Sequence, residues 1–451
     1  MSDKGNMERD RITLYMKLWY KKVIKKCIVF VASKSKTEVD IPRAPCHLIL
    51  NEQRDLRTNG TNITNTGSRE SVEDFQRSES NGRQCNRSVA SSGRQHNLNM
   101  SLAVASAFIL TSAAAIYWYV NRHKPLKYIL SELRYAIDMQ GAGVGGLIDD
   151  WVNIRRNRIV LPDAGRKIAV VTGGARGIGS EVVRGLLKSN VFVIAGVRKP
   201  ESMKKLADNM ENGENLIAFP LDLQSLKSVK QFAQNVMDRF PTIHFLVNNA
   251  GIMYGDYHVT EDGFENQLAV NHLSHFYLTH LLLPALKRGG TIGEAARVVN
   301  VSSCAHYPGQ IYFDDINMKE HFDTTAAYAQ SKLAQLMSAR YINKMLEEDG
   351  CAVNAYSVHP GIVDTDLFEK TMFKKAFPWA MKLFFKTPAK GAVPILFACF
   401  DKSIERRGGL YISNCTEGIS NKFSKKLDHQ KKLFEISCEL VGIEVNNFGK
   451  A

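Results

Sequence analysis

Six short apolar runs lie between Lys167 and His359, and longer stretches with helical periodicity fill the gaps between them. Ile168–Thr172, Val191–Ala195, Leu216–Leu221, Phe245–Asn248, Arg297–Val301 and Ala352–His359 predict strands. Gly179–Lys188, Leu226–Phe240, Glu265–Leu286 and Thr325–Glu348 predict amphipathic helices. This alternation leaves few solutions. Parallel strands need a crossover connection, and crossovers place helices on both faces of the sheet. The expected class is therefore α/β, with one doubly wound parallel sheet.

The first strand runs into Thr172-Gly-Gly-Ala-Arg-Gly-Ile-Gly179. Gly173, Gly177 and Gly179 have the spacing for a tight turn, a close backbone approach and helix packing. A phosphate can then sit at the helix amino terminus, where unpaired N–H groups and the helix dipole favour negative charge. Such a strand-turn-helix in a doubly wound sheet predicts a Rossmann nucleotide-binding domain.

Further along, Tyr328 and Lys332 lie four residues apart in the helix predicted over 325–348, on one face and one turn apart. An ammonium beside a phenol favours the phenolate and brings proton exchange toward neutral pH. Taken alone the pair is an ordinary feature of a solvated helix face. Its weight comes from what precedes it.

The glycine turn reads TGxxxGIG, and here the chain resembles the short-chain dehydrogenases/reductases over roughly Lys167 to Val441. Asn248-Asn249-Ala250-Gly251 resembles the family's NNAG turn beside the adenosine. Asp222, followed by Leu223, resembles the acid that meets the adenine. Asn271 resembles the helix asparagine that holds a water in the proton relay, and Ser303 the serine that orients the substrate. Tyr328 and Lys332 complete that tetrad. Pro360-Gly361 and Thr365 resemble the segment that covers the nicotinamide. The resemblance implies an enzyme in which Tyr328 moves a proton, Ser303 holds the substrate oxygen and Lys332 grips the nicotinamide ribose. The implied cofactor contacts are Gly173, Arg176, Gly177, Ile178, Gly179, Arg198, Asp222, Leu223, Asn249, Ala250, Gly251, Pro360, Gly361 and Thr365, with Tyr328 and Lys332.

The second strand ends Val197-Arg198-Lys199, without the acid that holds a ribose 2′-hydroxyl in NAD enzymes. Arg176 and Arg198 fit a 2′-phosphate, so NADP(H) is favoured over NAD(H). Within the family the resemblance is to the membrane-bound retinol dehydrogenase group and the X-linked dehydrogenase/reductase member. Gly293–Ser303, Ala326–Ala334 and Leu383–Pro388 carry it. It implies an isoprenoid alcohol and its aldehyde, of polyprenol or dolichol type first and retinol type second. A steroid, fatty aldehyde or xenobiotic carbonyl is the alternative. A non-catalytic nucleotide-binding scaffold is the rival from another class, and the intact tetrad argues against it. The resemblance also allows a homodimer. The resemblance also implies that Leu367–Phe385 forms a lid over the substrate; there Phe368, Met372, Phe373, Phe377, Trp379, Met381, Leu383, Phe384 and Phe385, interleaved with Lys374, Lys375 and Lys382, suit a greasy substrate or a lipid surface.

Composition divides the rest. Residues 1–99 hold 18 Lys and Arg against 11 Asp and Glu, half of the net charge of +14, and from Asn51 they turn polar with few aromatics. They read as a disordered basic extension; without interleaved aromatics, nucleic acid is not an expected partner. Ser101–Val120 carries no charge, ends in Tyr117-Trp118-Tyr119 and is followed by Arg122, His123, Lys124 and Lys127. That pattern predicts a transmembrane anchor over 101–121 with the catalytic domain facing the cytosol, at the endoplasmic reticulum or a lipid droplet. Translation from Met100 would make it an ordinary amino-terminal anchor. Residues 122–160 read as a juxtamembrane linker whose helical pieces are broken at Gly141–Gly146, and 161–445 as the catalytic domain. Eight scattered cysteines with no CxxC pair give neither a zinc pattern nor a disulfide framework. His272, His275 and His280 share a helix but lack a further ligand in register, so no metal is expected.

Overall fold

The computed structural model describes residues 124–369, 374 and 378–450. The anchor expected at 101–121 and the extension at 1–99 lie outside them. Among the described residues no helix is long and apolar enough to cross a membrane.

Eight strands form one sheet in the order β3-β2-β1-β4-β5-β6-β7-β8. The chain begins with α1 (Leu126–Val152), then winds one half of the sheet through β1 (Ile168–Thr172), α2 (Gly177–Lys188), β2 (Phe192–Val197), α3 (Glu201–Ala207) and β3 (Leu216–Pro220). It crosses back by α4 (Leu226–Met237) to β4 (Phe245–Asn248), which pairs with the other side of β1. The second half follows with α5 (Ser274–Gly289), β5 (Ala296–Val301), α6 (Thr324–Glu348) and β6 (Val353–His359). Then come α7 (Pro378–Phe384), α8 (Pro388–Phe400), the short β7 (Tyr411–Ser413) and β8 (Thr416–Glu417), and α9 (Leu427–Leu440). Only β8 runs antiparallel, at the edge. The strand order reverses between β1 and β4. Ligands bind outside the carboxyl ends of strands at such a switch point.

The strands read as continuous apolar runs because both faces are covered. All six residues of β5 are buried. One core cluster fills the space between the sheet and α4, α5, α6 and α9, the other the space under α2 and α8. Asp323 caps α6, accepting from Ala326 N at 2.7 Å, and fixes the start of the helix that carries Tyr328.

The first helix departs from the sequence reading. Gly141-Ala-Gly-Val-Gly-Gly146 does not break it; α1 is continuous over 27 residues. A helical glycine costs about 1 kcal/mol relative to alanine. Tertiary contact outweighs that cost, because α1 lies on the domain and Gly146 faces it. A Cβ there would lie 3.1 Å from Cys304 Sγ and 3.3 Å from Ile362 Cδ1. The helix is also inverted. Its buried face includes Glu132, Tyr135 and Asp150, while Leu126, Leu130, Ile137, Val144, Ile148 and Trp151 are exposed, Trp151 by 78%.

Candidate active site

The loops after β1 to β6 converge at the carboxyl edge of the sheet. The glycine turn after β1 leads directly into α2, whose first turn holds Gly177, Ile178 and Gly179. A Cβ on Gly179 would sit 2.2 Å from Gly173 O and 2.6 Å from Asn249 Nδ2. Only glycine lets the helix start that close to the turn, and the result is a cradle lined by backbone N–H groups. Ile178 packs into the core beneath. Opposite, Asn249 donates its Nδ2 to Thr172 O at 2.9 Å, and Thr172 Oγ1 accepts from Asn249 N and Ala250 N at 3.0 Å each. This arrangement locks the Asn248–Gly251 turn to the glycine turn.

Asp222 and Leu223 close the β3 side, where Asp222 Oδ1 accepts from Gln224 N at 3.0 Å and Leu223 is buried. Arg198, just past β2, is exposed. Arg176 donates to Asp366 Oδ2 at 2.8 Å across the mouth, in a pair exposed on both sides. Such surface pairs hold weakly, so the guanidinium is available to an anion. Thr365 lies against the glycine turn: a Cβ on Gly177 would be 3.6 Å from Thr365 Cγ2.

The tetrad comes together around α6. Tyr328 is buried, with Met253, Ala305, Met139, Tyr254, Leu367 and Phe368 packed about it. Ser303 Oγ accepts from Ala305 N at 3.2 Å, and the Ser303 side chain favours the Tyr328 phenolate against the effect of burial. Ser302 is turned into the core and donates to Lys332 O at 2.8 Å. Lys332 Nζ donates to Val301 O and to Gln335 Oε1, each at 2.9 Å, and lies 5.7 Å from the Tyr328 ring centroid.

The electrostatic balance differs from the one the spacing suggests. Burial dominates both groups, pushing the Tyr328 phenol above its ordinary value and pulling Lys332 down to about 7. The Ser303 hydrogen bond opposes the rise, but no ammonium contact reverses it. At neutral pH the proton therefore sits on the phenol.

Asn271 is tied to the turn beside Tyr328. It lies in a π-helical turn, Ala269–Leu273, just before α5. Its Oδ1 accepts from Ile252 N at 2.9 Å, and its Nδ2 donates to Ile252 O at 3.0 Å and Ser331 Oγ at 2.9 Å. These bonds use both Nδ2 hydrogens and one lone pair of Oδ1, and they shape the turn that ends at Gly251. Its carbonyl accepts from His275 Nδ1 at 3.1 Å. Thr172 Oγ1 already accepts two N–H groups, so its own hydrogen goes to His275 Nε2 at 2.9 Å. That fixes the neutral tautomer, and burial holds His275 down to about 4. His272 bonds Ser437 Oγ at 2.9 Å, and His280 Nδ1 accepts from Gly449 N at 2.9 Å. All three histidines serve packing networks.

Sequence reasoning missed Thr172 and His275 as the link between the two turns, and it read α1 as broken helical pieces of a linker, not as part of the domain. Pro360 and Gly361 follow β6 as expected, but they are held from α1. Asp150 Oδ2 accepts from Ile362 N at 2.8 Å, and Asp150 Oδ1 pairs with Lys386 Nζ at 2.8 Å. Met139 of α1 reaches the Tyr328 cluster, and Tyr135 hydrogen-bonds Tyr312 at 2.7 Å. The one sequence signal was the Asp149-Asp150 pair in an otherwise apolar turn. Met372, Phe373 and Phe377 of the expected lid lie outside the described residues. Phe368 stacks edge-on against Phe385 at 5.4 Å, while Trp379, Leu383 and Phe384 are exposed.

Comparison with known proteins agrees with this geometry. Residues 167–375 match the family described as short chain dehydrogenase. Polyprenol dehydrogenase of Danio rerio is 40% identical over 295 residues, covering 63% of this chain and 89% of that protein. The Homo sapiens polyprenol dehydrogenase is 34% identical, covering 70% of this chain and 98% of that protein. Retinol dehydrogenase 11 of Homo sapiens is 33% identical, with 62% and 87% covered. A solved structure of an uncharacterised Mycobacterium paratuberculosis protein superposes with a TM-score of 0.52 at 30% identity, covering 63% of this chain and 97% of that one.

Proposed function

Since the chain belongs to the short chain dehydrogenase family, we propose that it interconverts a lipophilic isoprenoid alcohol and its aldehyde or ketone, using NADP(H) at a membrane surface. The observation that carries the reading is the buried Tyr328, walled by the side chains of Met139, Met253, Ala305, Leu367 and Phe368. A polar substrate would lose its hydration there without compensation, whereas a prenyl chain is matched.

The chain's own backbone suits a dinucleotide. The cradle that a Gly179 Cβ would fill is the right place for a pyrophosphate, at a helix start with no acidic residue in its first turn. Gly173 to Gly179 would hold that group, Asp222 and Leu223 the adenine, Asn249 to Gly251 the adenosine side, and Pro360 to Thr365 the nicotinamide end. Arg176 and Arg198 support the 2′-phosphate preference. When bound, the dinucleotide supplies or takes up the hydride.

The remaining work belongs to the protein. In the reducing direction Ser303 Oγ donates to the carbonyl oxygen, and Tyr328 gives it a proton as the carbon accepts the hydride. In the oxidising direction the same oxygen returns its proton to Tyr328. Lys332, pulled down to about 7 by burial and held beside the ring by its bonds to Val301 and Gln335, is a group that exchanges protons near neutral pH. The apolar wall excludes water from the exchange.

Two further observations support the membrane setting: the uncharged stretch Ser101–Val120, and the exposed apolar stripe of α1 with Arg155, Arg156 and Arg158 beyond its end. Apolar stripes with basic flanks suit an interfacial helix. Turnover of detergent-solubilised protein with polyprenol, retinol, a steroid and a fatty aldehyde, each with NADPH and NADH, tests the whole reading. Absence of turnover on any long isoprenoid would refute the substrate, and a lower KM for NADH would refute the cofactor preference.

A further inference from the structure

Two buried charges meet beside the turn that follows β6. Asp150, 6% exposed, comes from α1; Lys386, 8% exposed, comes from the segment between α7 and α8. Neither belongs to the tetrad or to the glycine motif. Asp150 divides its two oxygens: Oδ1 pairs with Lys386 Nζ at 2.8 Å, and Oδ2 accepts from Ile362 N at 2.8 Å. Asn414, just past β7, closes the ring. Its Oδ1 accepts from Lys386 Nζ at 2.6 Å, and its Nδ2 donates to Asp150 Oδ1 at 3.2 Å and Asp149 Oδ2 at 2.8 Å.

The ring grips backbone, not only side chains. Lys386 N donates to Ile362 O at 2.8 Å, and Asp364 N donates to Lys386 O at 3.0 Å. Gly361 has φ of +96°, and a Cβ there would lie 2.6 Å from Lys386 Cδ and 2.7 Å from Asp150 Oδ2. The pair therefore presses directly on the turn, which has no freedom to move outward. Charge-assisted bonds of this kind are short and directional, and inside a protein they fix geometry.

We propose that Asp150, with Lys386, is a positioning residue for the Pro360–Gly361–Ile362 turn and hence for the nicotinamide end of the dinucleotide. The inference rests on the dinucleotide reading given above. It makes α1 part of the catalytic unit, although α1 lies ahead of the residues that carry the family pattern. Asp150 touches no reacting atom; it acts through the Ile362 amide. A residue whose loss merely loosens the fold would weaken every ligand alike. One that positions the nicotinamide end weakens only ligands that have that end.

Two ligands separate these cases: NADPH, followed by its fluorescence, and 2′-phospho-ADP-ribose, which lacks the nicotinamide, followed by calorimetry. Asp150→Asn is expected to weaken NADPH by about tenfold or more and to leave 2′-phospho-ADP-ribose within about twofold. This single variant leaves the Lys386 ammonium without its counter-charge, so it is paired with Asp150→Leu/Lys386→Met. The double variant replaces the buried pair with apolar groups of similar size, a change that folds tolerate. It is expected to keep its melting temperature and to show the same selective loss of NADPH. Equal weakening of both ligands, or wild-type NADPH affinity in the double variant, would overturn the proposal. If the wild-type chain binds neither ligand, the dinucleotide reading itself is wrong and this inference goes with it.

Discussion

Tyr328 stood out in the sequence as the proposed proton-transfer group, because its spacing to Lys332 and the order of the motifs before it belong to one pattern. Its electrostatic setting was not legible. Spacing suggests an ammonium that lowers the phenol, yet Lys332 spends its hydrogens on Val301 and Gln335, and burial raises the phenol instead. Burial depends on Met139, Tyr254, Leu367 and Phe368, which come from three distant stretches that no local pattern joins. Tyr328→Phe removes the transferable proton without changing the packing. It is expected to lower kcat by about 10²- to 10⁴-fold in either direction, with KM for the dinucleotide nearly unchanged, as steady-state rates would show. Cys304 is buried beside this group, and burial pushes its thiol up to about 12. It should resist alkylation in the folded chain and react only on unfolding, which mass spectrometry after iodoacetamide treatment checks.

Among the elements, β1, β4 and β5 fell close to where the apolar runs placed them, since parallel strands buried on both faces are mainly apolar, even where β5 also buries Arg297 and Asn300. The glycine turn was legible for a sharper reason: its residues are dictated by a steric limit. Gly179→Ala puts a methyl 2.2 Å from Gly173 O, so α2 must back away from the turn. The expected result is a dinucleotide affinity lower by about tenfold or more, measured by fluorescence titration, because the helix amino terminus then no longer faces the phosphate. The π turn at Ala269–Leu273 could not be foreseen. Its sequence reads as plain helix, and the extra residue is stabilised by the Asn271 contacts with Ile252 and Ser331, which lie 19 and 60 residues away. Helix α1 was misread because glycine content is a local signal, whereas the contacts of Gly146 and Asp150 are made with residues more than 150 positions away.

Over the whole molecule, buried histidines set the acid limit. His272 and His306 are held at about 3, and His275 and His359 at about 4, in each case first by burial, against an ordinary value of 6.5. Between about 4 and 6.5 the unfolded chain binds protons that the folded chain refuses, so stability is full above 6.5 and falls as pH drops through that window. The melting temperature should be flat from pH 7 to 8 and decline steeply below 6, as a calorimetric pH series would show. Helix α1 extends the same lesson to engineering. Surface redesign for solubility ordinarily replaces exposed apolar groups and leaves interior ones alone, and here the two sides of one helix carry opposite instructions. Making Leu130, Ile137, Ile148 and Trp151 polar together is expected to leave turnover of a detergent-solubilised isoprenoid alcohol nearly unchanged and to weaken vesicle binding without abolishing it, since the proposed anchor at 101–121 remains. A redesign that instead corrects the odd buried acids, by making Glu132 and Asp150 apolar, would yield a helix that looks better by hydropathy and serves the enzyme worse. Under the proposed membrane setting, the apolar side of α1 is the part that would meet lipid, while its polar side, through Asp150, holds the turn after β6.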